Sequence, residues 1–158
     1  MNQVQVDAVI QAAKNICKDT YRGLTKNRQR VLEILLKAEA PISAYELKDE
    51  LNQAVETVIG PMTVYRALEF LESMKLVHKL NSTNKYIACK SLTGICEHQT
   101  AIFLVCKSCQ QSEKLETSVS TFQSLHGQIE AKGFSAKSSQ FEVITLCNAC
   151  EQKAHSNM

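Results

Sequence analysis

The chain has no tryptophan, only two prolines and five glycines in 158 residues, and few aromatic residues of any kind. With ordinary apolar and charged fractions, that composition excludes collagen-like and disordered classes and leaves a globular protein. No stretch is long and apolar enough to span a bilayer. The N-terminus, MNQVQVDAVIQAAKNICK, lacks both the basic region and the apolar run of a signal peptide, so a cytoplasmic protein with no membrane partner is expected. Charge of one sign is also scarce. A formal net charge of +2 provides no dense basic surface, and any DNA binding must come from placed residues. Neither HExxH nor an HxE ahead of PCxxC occurs, which argues against a zinc hydrolase or deaminase, and no enzymatic activity is expected.

Cysteine, by contrast, is plentiful: seven residues, four of them in CKSC (Cys106, Cys109) and CNAC (Cys147, Cys150). Disulfides are uncommon in a reducing compartment, and two CxxC pairs supply the four thiolates of a closed tetrahedral zinc site. Such a site joins segments distant in sequence and staples a small domain. The length allows one compact domain or two small ones. The change from helical, cysteine-poor sequence to short strands and clustered cysteines favours two: residues 1–88, a hinge over 89–96, and 97–158.

In the first part, LTKNRQRVLEILLKAEAP places Val31, Ile34, Leu35 and Ala38 at helical spacing. SAYE, from Ser43 to Glu46, has the form of a capping box opening a second helix that runs to about Gln53. A third helix starts near Pro61 with Val64, Ala67, Leu68 and Leu71 facing inward and Met62, Tyr65, Arg66, Glu69 and Ser73 outward. Then LVHKL, NSTN and KYIAC suggest a hairpin with a four-residue loop. Three helices and a hairpin make a winged helix-turn-helix, which would turn Tyr65 and Arg66 toward DNA, with Arg66 suited to a guanine edge. The competing account of that face is a solvated helix surface. Lys26, Arg28 and Arg30 suit phosphate contacts or a solvated basic turn.

The second part reads as a strand over AIFLVC, a strand near EKLET, a helix from about Ser118 to Lys132 stopped by Gly133, and a strand over FEVITLC. Val119, Phe122 and Ile129 are its expected apolar face, covering a three-stranded sheet. Around the hinge stand His78, Cys89 and His98, with carboxylates beyond Cys109. A hairpin symmetric about Ser82 and Thr83 sets Ile87 opposite His78 and Cys89 diagonal to it, so the two could share a metal. Each also has an ordinary account, as a satisfied polar residue or a core thiol.

LTKNRQRVLEIL, ISAYEL, TVYRALEFL, VHKLNSTNKYIAC, CKSC and CNAC together resemble the ferric uptake regulator family of bacterial metal-dependent repressors, most nearly its zinc uptake regulator branch. The resemblance covers nearly the whole chain. It implies an α+β protein: an N-terminal winged helix-turn-helix DNA-binding domain and a small C-terminal α/β dimerisation domain with structural zinc. It also implies a homodimer on an A/T-rich palindromic operator. Cys106, Cys109, Cys147 and Cys150 match the structural zinc ligands. His78, Cys89 and His98 match regulatory zinc ligands at the interdomain hinge, for two zinc ions per chain. The fourth regulatory ligand in the family would fall on Lys114, so Glu113 or Glu116 takes its place; Cys96, two residues from His98, is an alternative to Cys89, with a free thiol lining the hinge as its plainer reading. Tyr45 and Arg66 match base-contacting positions, with Thr63 and Tyr65 completing the expected DNA-binding set. The chain lacks the histidine-rich run of iron and peroxide sensors, and a thiolate at Cys89 favours zinc. A zinc-dependent repressor of zinc-uptake genes is expected, with an iron- or manganese-responsive repressor as the rival and a zinc-stabilised interaction module behind it.

Overall fold

The computed structural model describes residues 1–18, 20, 23–54, 58–90, 101–136 and 140–156. The chain divides into two compact units, Met1–Cys96 and Glu97–Met158. The first begins with a helix that the sequence reading did not assign, α1 (Gln3–Cys17). Val6, Val9, Ile10, Ala13 and Cys17 form its buried face, one helical stripe from end to end. Asn2 opens it with a capping box: its side chain accepts from the Gln5 amide at 2.9 Å, and the Gln5 side chain accepts from the Asn2 amide at 3.1 Å.

Helix α2 (Lys26–Lys37) starts on a Thr25 cap and buries Val31, Leu32, Leu35 and Leu36. That face is rotated from the expected one. Ile34 is only partly buried and Ala38 is the C-cap. In the run VLEILL, spacing alone does not choose between adjacent apolar faces; packing against α1 and two later helices does. Helix α3 (Ala44–Ala54) opens as expected, with Glu46 accepting from the Ser43 amide at 2.7 Å and Ser43 Oγ accepting from the Glu46 amide at 3.2 Å. The Ser43 hydrogen bonds hold the Glu46 carboxyl below its ordinary pKa.

Helix α4 (Pro61–Ser73) has Pro61 in its first turn and buries Val64, Ala67, Leu68, Phe70 and Leu71. It ends where Lys75 adopts a left-handed conformation (φ 59°) and the Leu76 amide donates to the Leu71 carbonyl at 2.9 Å. Strands β1 (Val77–Leu80) and β2 (Lys85–Ala88) follow as an antiparallel hairpin closed by Asn81–Asn84. Ile42 bridges to Tyr86 and so ties the α2–α3 connection to the hairpin.

In the second unit, β3 (Ala101–Cys106) lies between β4 (Ser112–Leu115), antiparallel, and β5 (Gln140–Thr145), parallel. Helix α5 (Val119–Ala131) makes the crossover from β4 to β5, capped by Ser118 and stopped at Gly133 (φ 80°). Its contact with the sheet is aromatic: Phe122 packs edge-on against Phe141, with His126 beside both. Val119 departs from expectation: at the first helical position of α5 it is 57% exposed, and Phe122 is the buried residue of that face. A short helix, α6 (Asn148–Ser156), closes the chain and was not anticipated. Among the described residues, no helix is long and apolar enough to cross a membrane.

Candidate functional site

The parallel pairing of β3 and β5 puts Cys106 level with Thr145, so both strands end together. From Cys106 the chain turns tightly: the Gln110 amide donates to the Cys106 carbonyl, Gln110 takes φ 61°, and the Cys106 amide donates to the Gln111 carbonyl. This turn swings Cys109 back toward the β5 end. There Cys147 precedes α6, and Cys150 lies in the helix's first turn, its amide donating to the Cys147 carbonyl at 2.9 Å. All four sulfurs come within 4.8 Å of one another, and Cys109 Sγ lies 3.7 Å from Cys147 Sγ. Tetrahedral zinc–thiolate bonds of about 2.3 Å imply sulfur–sulfur edges of about 3.8 Å, so the group fits such an ion with small adjustments. Cys106 is buried, Cys147 and Cys150 are half-buried, and Cys109 is exposed.

The backbone prepares the cluster for negative charge. Backbone hydrogen bonds at Cys109, then Cys147, pull the Cys106 thiol down to about 6, and the Cys147 amide lies 3.4 Å from its sulfur. At Cys109 a backbone hydrogen bond at Gln111 acts downward, but the neighbouring sulfurs of Cys106, Cys150 and Cys147 outweigh it and push the thiol up to about 11. Four crowded thiols cannot all ionise alone; a divalent cation removes that conflict. Among the described residues, no other group of three or more histidine, cysteine or acidic side chains is placed to share a metal.

The residues expected at a regulatory site are placed as follows. His78 on β1 faces Ile87 across the hairpin, and the Cys89 amide donates to the Leu76 carbonyl at 2.9 Å, extending the register by one pair. Cys89 is therefore diagonal to His78 on the same face, the arrangement the hairpin loop implied. Cys89 is buried and its sulfur is disulfide-bonded, so metal binding there requires reduction first. Glu113 lies on β4 opposite Leu104, and Glu116 follows the strand; both are exposed. Because β4 ends at Leu115, strand parity does not extend to Glu116. His98 and Cys96 lie outside the described residues.

On the winged-helix unit, Tyr45 is 65% exposed at the start of α3, and Thr63 and Arg66 are exposed on α4. Tyr65 is half-buried, its ring packed partly on the core. Arg28 has a structural post: its guanidinium lies 3.7 Å over the Phe70 ring and donates to the Gly23 carbonyl at 2.6 Å, which ties the start of α2 to α4. One functional contributor had no sequence signal. Asn52 donates to the Ile59 carbonyl at 3.2 Å and accepts from the Ile59 amide at 2.6 Å, pinning the chain just ahead of α4. Its partner is backbone, which carries no side-chain pattern to find.

Residues 20–144 match the model of the ferric uptake regulator family. The zinc uptake regulation proteins of Escherichia coli (strain K12) and Shigella flexneri are each 34% identical over 150 residues, covering 95% of this chain and 85% of theirs. Among solved structures, a zinc uptake regulator complexed with zinc and DNA is 31% identical and superposes with a TM-score of 0.79, covering 95% of this chain and 97% of that one. Holo XcZur is 34% identical with a TM-score of 0.73, covering 92% and 99% respectively.

Proposed function

Since this chain belongs to the ferric uptake regulator family, we propose that it is a zinc-dependent DNA-binding repressor of zinc-uptake genes, acting in the cytoplasm. The observation that carries this reading is one chain holding both a four-sulfur cluster of zinc dimensions and a helix-turn-helix with Arg66 exposed on its last helix. Relatives named for zinc uptake regulation, one of them solved with zinc and DNA, give that combination its meaning.

Two zinc ions per chain divide the labour. Cys106, Cys109, Cys147 and Cys150 hold a structural ion that knits the ends of β3 and β5 to α6, leaving no open position for chemistry. His78, Cys89, His98 and either Glu113 or Glu116 hold a regulatory ion. Zinc accepts thiolate, imidazole and carboxylate together in a tetrahedral set. The chain functions as a homodimer on an A/T-rich palindrome, each half-site met by Thr63, Tyr65 and Arg66 of α4 and by Tyr45 of α3. In support of the dimer, β5 is a sheet edge with Val143 and Ile144 exposed, and Leu115 is exposed on β4. Engagement of the regulatory ligands favours the dimer arrangement whose recognition helices fit successive major grooves.

Fluorescence anisotropy of the reduced, structurally zinc-loaded protein on an A/T-rich palindromic duplex tests this reading across buffered free zinc, with ferrous iron and manganese alongside. A coupling of about 1 to 3 kcal/mol predicts roughly 5- to 150-fold tighter binding at saturating zinc. Cys89→Ser should lose most of that response while remaining a folded dimer. Binding that ignores zinc, or follows iron or manganese, would defeat the zinc assignment. An unchanged zinc response in the variant would remove Cys89 from the site.

A further inference from the structure

Apart from the ends of the chain's first helix, the large apolar side chains exposed among the described residues of the first unit are Tyr45, Val58 and Met62. Tyr45 already belongs to the expected DNA face. Val58 and Met62, 86% and 62% exposed, flank the start of α4. Single exposed apolar residues need no explanation, but this pair sits on backbone that is firmly held. The Ile59 side chain is buried, and both backbone groups of Ile59 are bound by the Asn52 amide. Gly60 and Pro61 then open the helix. With residue 59 anchored inward, its neighbour Val58 is turned out, and the first turn of α4 presents Met62.

Met62 and Arg66 are four residues apart on α4, so they stand one above the other on the same side, both exposed, in a row that enters the core only one turn later at Phe70. A recognition helix meets base edges with its N-terminal residues, which brings Met62 to the groove floor ahead of Arg66. The major groove offers hydrogen-bonding groups on every base pair, and one apolar group, the thymine C5-methyl. A flexible, unbranched thioether matches such a methyl and has no polar atom to leave unsatisfied. Building on the DNA-binding reading above, we propose that Met62 is a specificity-determining residue that selects thymine through its methyl group.

The test uses zinc-loaded wild-type protein and its Met62→Ala variant, each selecting from a random-sequence duplex library. Met62 is exposed, so its truncation leaves the core intact. The wild type should enrich a palindrome with a thymine preference that the variant loses at one position per half-site, while base preferences set by Arg66 persist. Thymine is then replaced by deoxyuridine at that position. Loss of one buried methyl corresponds to about 4-fold weaker binding per half-site, or about 15-fold over both. The variant should be indifferent to the replacement. If Met62→Ala keeps every thymine preference, or if deoxyuridine weakens the Met62→Ala variant as much as the wild type, the proposal is wrong. A wild-type selection with no enriched sequence would overturn the DNA-binding reading along with it.

Discussion

Cys106 joins three roles in one side chain. It ends β3, it accepts from the Cys147 amide near the end of β5, and it is the buried member of the four-sulfur cluster. Replacing it with serine removes a thiolate from a site whose binding free energy is also folding free energy, on the order of 10 kcal/mol for structural zinc. Cys106→Ser should therefore carry one zinc fewer per chain by metal analysis and lose the cooperative melting of the second unit. Cys17→Ala is the control, since Cys17 is buried among apolar residues of α1 and burial raises its thiol pKa. That variant should keep its zinc and lose only about 1 to 2 kcal/mol of stability. A Cys106→Ser protein with full zinc content and unchanged melting would show that the cluster is not a structural site. At this scale the sequence was informative wherever function imposes spacing, as in the two CxxC pairs. Arg28 reads there only as a phosphate contact or part of a solvated basic turn, and its post over Phe70 and on the Gly23 carbonyl was not legible because those partners are distant or backbone.

At the scale of elements, the turn into α4 governs how the recognition helix is presented. Asn52 imitates a backbone partner for Ile59 and substitutes for secondary structure across that connection. Asn52→Ala leaves two partly buried backbone groups without that partner, a cost of about 1 to 3 kcal/mol. The melting temperature should fall by roughly 2 to 4 °C per kcal/mol for a chain of this size. Affinity for the selected palindrome should drop several-fold more than affinity for an unrelated duplex, because phosphate contacts tolerate a tilted helix better than base contacts. Asn52→Asp, which keeps the acceptor for the Ile59 amide, should recover part of the discrimination. Equal losses on both duplexes would make Asn52 a stability residue alone. Elements with explicit end signals were legible: SAYE for α3, Pro61 for α4, NSTN for the wing loop, Gly133 for the end of α5. Helix α1 carries a legible stripe in Val6, Val9, Ile10, Ala13 and Cys17, spaced as one helical face. Helix α6 was not legible because NACEQKAHS has a weak apolar face and its one cysteine, Cys150, reads as half of the CNAC pair.

For the whole molecule, the account joins two units of different character: a winged helix whose core is aliphatic helix packing, and a thin mixed sheet that depends on a metal staple. Among its described residues the second has few fully buried side chains, as expected of a small domain stapled by a metal. What sequence alone could not reach is collective. The rotation of α2 and the exposure of Val119, Val143 and Ile144 follow from which neighbours are present, not from local spacing. Regulation is also a property of the whole, since metal and operator must favour the same dimer. Linkage then requires the effect to run both ways by the same factor. The most direct measurement is the free zinc concentration at half-occupancy of the regulatory site, determined with and without saturating palindromic duplex. The account predicts that the duplex lowers that concentration by the factor, about 5- to 150-fold, by which zinc tightens DNA binding. An identical midpoint with and without DNA would contradict it.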